Sequence, residues 1–126
     1  KLFLAQMPPA QRKRLLGETS LKAFTGNTLT DFEALEAEIE AVHQAGYAFD
    51  DEEFLHGLIC IAVLATNPNG GKSNLGIAIQ APVMRMTREK ALDCLPALRR
   101  AADAIAAIDN RAMPQSNSHK QKIQEV

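Results

Sequence analysis

Gly46-Tyr-Ala-Phe-Asp50-Asp-Glu-Glu53-Phe-Leu-His56-Gly-Leu58-Ile-Cys60-Ile-Ala62 is the stretch on which the fold turns. Tyr47 to Asp50 reads as a short strand, and four carboxylates follow it or end it: Asp50, Asp51, Glu52 and Glu53. Leu58 then opens a run to Thr66 that is aliphatic apart from one thiol, Cys60, and the closing threonine. A second run, Lys72 to Gln80, follows the linker Asn67-Pro-Asn-Gly-Gly71. That linker is dense in turn formers, so the two runs are expected to pair as a hairpin.

A turn centred on Asn69 sets Cys60 opposite Ala78, Leu58 opposite Gln80 and Ala62 opposite Gly76. Side chains alternate along a strand, so these even-numbered residues share one face. The odd face carries Ile59, Ile61, Val63, Leu75, Ile77 and Ile79, bulk suited to packing on helices. The even face is made of Cys, Ala, Ala and Gly, with Leu58 and one amide. Small residues on one face leave volume to be filled, by a close helix or by a bound molecule. With Asp50 turned inward, that face gains an acceptor, and Gln80 adds a donor and an acceptor. Leu58, Cys60 and Ala78 would then line a hollow with polar groups at its rim. The plainer alternative makes the four acids a solvated turn.

Helices are expected on either side of the hairpin. Pro9 suits the first turn of a helix carrying Leu15 and Leu16 that stops near Gly17. Thr19 to Thr28 is a link with a turn at Gly26-Asn27. Thr30 and Glu33 form a capping box, and Phe32, Leu35, Ile39 and Val42 recur at helical spacing as far as Gly46. Thr87 caps a last helical region whose apolar stripe is Leu92, Leu95, Leu98, Ala102 and Ile105, with Pro96 splitting or kinking it. Residues 110–126 are polar and aperiodic, a tail expected to be disordered, which leaves 1–109 as the folded portion.

Composition narrows the function classes. The chain has 126 residues, 46% hydrophobic and 23% charged, with no Trp, so aliphatic side chains must build a single core. Its net charge of −1 argues against DNA binding by this segment alone. Gln11-Arg12-Lys13-Arg14 is a short basic patch, read as a solvated helix face. Two cysteines without metal-ligand spacing read as free thiols in a reducing cytoplasm. No run reaches the length of a membrane span, and no cofactor motif is present. A Cys60 nucleophile would need a base nearby, and His43, His56 and His119 are poorly placed for it. A metal set of Asp50, His56 and Cys60 is the weakest alternative, and a pure oligomerisation module, its small face filled by protein, is another.

These residues resemble the signature of the isocitrate-lyase-regulator (IclR) family of bacterial transcription factors. The family spacing places Gly, Asp, Glu, Cys, an aliphatic and a small residue where Gly46, Asp50, Glu53, Cys60, Ile61 and Ala62 stand. Lys1 to Ala5, Thr28 to Asp31 and Pro82 to Thr87 resemble further family segments in the right order. The resemblance implies an α/β (α+β), GAF-like or profilin-like antiparallel sheet with flanking helices, here only the C-terminal part of the domain. It implies a cytoplasmic, non-enzymatic regulator that binds a small organic-acid effector. DNA would be bound through an N-terminal winged helix-turn-helix outside this sequence, by a homodimer or homotetramer. Carried over by position, the ligand contacts are Asp50, Leu58, Cys60, Ala78 and Gln80. The family commonly has serine where Ala78 and Gln80 stand, so the effector is expected to be larger or less polar than a two- or three-carbon keto acid.

Overall fold

The computed structural model describes residues 1–67 and 69–112. Three short antiparallel strands form one sheet in the order β1-β2-β3: β1 is Ala48–Asp51, β2 is Leu58–Leu64 and β3 is Gly76–Pro82. Three helices precede the sheet, α1 (Leu2–Ala5), α2 (Pro9–Gly17) and α3 (Phe32–Ala45), and two follow it, α4 (Arg88–Asp93) and α5 (Leu95–Ala112). This is an α+β domain with helices on both sheet faces.

Local chemistry sets most helix bounds. Pro9 opens α2, where a missing N–H costs nothing. Gly46 ends α3 in the left-handed region, φ 72°, its N–H donating to the Val42 carbonyl at 2.9 Å. The α3 N-cap is Asp31, one residue beyond the expected Thr30. Its Oδ1 accepts from the Ala34 N–H at 2.8 Å, because a carboxylate both caps better than a threonine and suits the positive helix end. Thr87 caps α4 through Lys90 N–H, and the helical region divides at Cys94 ahead of Pro96. Helix α5 runs to Ala112, past the expected boundary at 109; the tail from 113 lies outside the described residues.

The odd face of the sheet builds the larger core. Phe49, Ile59, Ile61 and Val63 pack on Ala91, Leu98, Ala102 and Ala106. The buried row on α5 thus runs Leu98, Ala102, Ala106, while Ile105, expected in it, is 36% exposed. Alanines there let the helix lie close to branched strand residues. Ile61 is fully buried, and such a side chain contributes about 1.5–3 kcal/mol. The even face carries a smaller core at its β1 edge, where Ala48 meets Ala5 of α1 and Ile39 and Val42 of α3.

The hairpin forms with a different register from that expected. Cys60 stands opposite Gln80, Ala62 opposite Ala78, Leu58 opposite Pro82 and Leu64 opposite Gly76. The turn lies one residue further along, because Gly70 and Gly71 take the left-handed conformations, φ 76° and 85°. The connection is also longer, and the Gln6 amide clasps the Ser73 backbone with two hydrogen bonds, 2.9 and 2.6 Å. A shift of two positions keeps every side chain on its expected face.

Arg12 corrects the reading of the basic patch as solvated. It is 2% exposed, with Nε on Glu36 at 2.9 and 3.1 Å and Nη1 donating to the Met7 carbonyl at 2.7 Å. Lys13 and Arg14 are exposed.

Candidate ligand-binding site

Asp50 and Cys60 are cross-strand partners on the even face, between β1 and β2. Above them opens a hollow of about 400 Å³. Its floor is small, formed by Ala48, Cys60 and Ala62; Phe3 and Phe54 make its walls, and Lys1, Asp50 and Glu53 its polar rim. Helix cover on this face therefore reaches Ala48 and stops short of filling the space over Cys60. Leu58, Ala78 and Gln80 share the face without lining the hollow. Ala78 and Gln80 are exposed, since no described helix covers that side of β3.

Three of the four successive carboxylates hold the β1–β2 loop. Asp50 Oδ1 accepts from the Glu53 N–H at 2.8 Å, closing a tight turn. Glu52 sits at φ 54°, and its carboxylate accepts from the Gly57 N–H at 2.6 Å. Glu53 receives the Lys1 ammonium at 2.6 Å. Of the four, only Asp51 is exposed. The turn is held from outside as well: the Thr25 hydroxyl donates to the Glu52 carbonyl at 2.6 Å and the Thr28 hydroxyl to that of Glu53 at 2.5 Å. Phe24 packs against Phe54 with ring centroids 5.3 Å apart and the rings tilted by 50°.

Lys1 is the rim residue that sequence patterns did not single out by its chemistry. Its ammonium reaches Glu38 of α3 at 3.0 Å, Glu53, and the Phe49 carbonyl of β1. A lysine at the head of an apolar segment has no local mark of such a role. Burial, and then the negative charge of Asp50, push the Cys60 thiol up from its ordinary pKa. The thiol is thus protonated at neutral pH and a poor nucleophile. Among the described residues, no helix is long and apolar enough to cross a membrane, and no group of three or more His, Cys, Asp or Glu side chains could hold a metal ion.

Comparison with known proteins agrees with this architecture. The family model for the bacterial transcriptional regulator IclR C-terminal region matches residues 1–107. A probable transcriptional regulator, SauR of Cupriavidus necator, is 39% identical over 105 residues, covering 83% of this chain and 41% of that protein. The regulator KdgR of Escherichia coli is 33% identical over 85% of this chain and 40% of its own length. The chain therefore spans about two fifths of each of these relatives. The crystal structure of the KdgR C-terminal domain superposes with a TM-score of 0.74 at 32% identity, over 84% of this chain and 64% of that one. The inducer-binding domain of PobR from Acinetobacter, a double mutant in complex with 3-hydroxybenzoic acid, gives 0.77 at 26% identity, over 82% and 59%. With the signature residues running from the end of α3 through β1 and its loop into β2, and the family model spanning the whole described sheet, the chain belongs to the IclR family of bacterial transcriptional regulators, within its C-terminal region.

Proposed function

We propose that this chain is the effector-sensing part of a DNA-binding regulator. A small organic acid settles over Cys60, and its preference for one conformation shifts DNA binding by a separate N-terminal winged helix-turn-helix. The observation that carries the proposal is the hollow of about 400 Å³ on the small-residue face, where helix cover ends. Asp50 and Cys60 are the inner contacts; Leu58, Ala78 and Gln80 share the face outside the hollow and are reached by a ligand that extends beyond it. The 3-hydroxybenzoic acid in the PobR complex supports a compact organic acid as the ligand class. The working form is a cytoplasmic homodimer or homotetramer. Hydrolysis at Cys60 has no support: the thiol is held protonated, and no histidine lines the hollow.

Calorimetric titration of organic acids, 3-hydroxybenzoate among them, into the full-length regulator tests this. Binding that disappears in Ala62→Leu, which fills the floor while leaving every polar group in place, is the expected result. No binding at millimolar concentration, together with unchanged operator affinity, defeats the proposal.

A further inference from the structure

The charges at the rim are unevenly committed. A lysine ammonium has three donors. Those of Lys1 meet Glu38 at 3.0 Å, Glu53 at 2.6 Å and the Phe49 carbonyl. The partners come from α3, the β1–β2 loop and β1, and the Lys1 side chain is only 13% exposed. Glu53 is itself held through its N–H by Asp50 and through its carbonyl by Thr28. One ammonium thus meets two carboxylates, Glu38 and Glu53, and a third, Asp50, holds the same turn beside Cys60. An incoming anion would have to displace Glu53 from Lys1 and lie beside Asp50.

We propose that Lys1 is a positioning residue and not an anion receptor, and that the Asp50–Glu53 side of the hollow takes an uncharged part of the ligand, whose carboxylate lies away from this rim. The proposal rests on the hollow being the effector site. Lys1 acts through the turn: it ties Glu53 to α3 and β1, so the Asp50 carboxylate stays beside Cys60. The upward displacement of the Cys60 pKa agrees with that placement, since Asp50 already acts on the thiol.

Cys60 supplies a probe that needs no effector. Iodoacetamide and iodoacetate alkylate the same thiolate and differ by one negative charge. Dividing their rates cancels the thiolate fraction and reports the potential in the hollow. In the full chain at low salt, read by peptide mass spectrometry, the iodoacetate-to-iodoacetamide ratio at Cys60 is expected to lie about three-fold or more below that of a neutral blocked cysteine. Glu53→Gln raises the ratio about two-fold. Lys1→Met speeds both reagents as the freed turn opens, while Lys1→Arg keeps the original rates. A ratio at or above the reference, a ratio unmoved by Glu53→Gln, or Lys1→Met rates matching the unmodified chain each overturn the proposal. These readings contain no effector, so they stand or fall separately from the calorimetric test of sensing.

Discussion

Replacing Arg12 by leucine is the sharpest test of what holds the helical side together. Its guanidinium joins α2 to α3 through Glu36 and reaches back to the Met7 carbonyl beyond α1. Hydrogen bonding to Glu36 raises its pKa from the ordinary value, so it stays charged. Arg12 is 2% exposed, so its loss strands a carbonyl and a carboxylate. Removing one partner of a fully buried pair costs about 3–5 kcal/mol. Here the Glu36 side chain is 26% exposed, and water recovers part of that cost. About 2–3 kcal/mol remains, and for a domain of this size each kcal/mol lowers Tm by about 4–8 °C. Arg12→Leu is therefore expected to melt about 8–24 °C lower in a thermal scan followed by circular dichroism. The double variant Arg12→Leu/Glu36→Leu is expected to regain most of the loss, because no charge is left unpaired. A single variant within about 2 °C of the parent would refute the reasoning, as would a double variant melting as low as the two single losses added.

Two further outcomes follow from the same geometry. Cys60 has a raised pKa in the fold, so the protonated thiol favours folding; that contribution is complete below the unfolded value of about 8.5 and is lost as pH rises through the higher folded value. Stability measured by urea unfolding is expected to fall from pH 8 to 10 more steeply in the parent than in Cys60→Ser, and equal slopes would count against it. Gly46→Ala places a Cβ where nothing lies within 4 Å, so its cost is backbone strain alone at φ 72°, about 1 kcal/mol. Chemical denaturation should show that loss with an unchanged m value.

What the sequence disclosed was what local chemistry decides. Pro9, Gly46, Thr87 and Pro96 act on their immediate neighbours, and they bound the helices where patterns place them. Alternation along β2 and β3 assigned every residue to its face, because a face depends only on parity. The register itself was not legible. It depends on which glycines take positive φ, and on a Gln6–Ser73 clasp that spans 67 positions. Lys1 and Arg12 were unreadable for the same reason: their carboxylate partners lie 52 and 24 residues away. Basic residues in a run look solvated until a fold brings an acid to one of them.

The hollow sits where cover on the even face gives out. Across the sheet, Ala48 is buried under α1 and α3, Ala62 and Cys60 are half-buried, and Ala78 and Gln80 are exposed. A helix laid over all three strands would have closed the floor. Instead the short α1 ends at Ala5, and Lys1 at its head is drawn toward Glu53 and Phe49 at the β1 margin. Small side chains alone do not make a cavity, since helices approach alanines closely and fill the space, as α5 does over the opposite face. Here the ionic tie at Lys1 anchors the start of α1 at the rim, and among the described residues the volume beside Cys60 is left open.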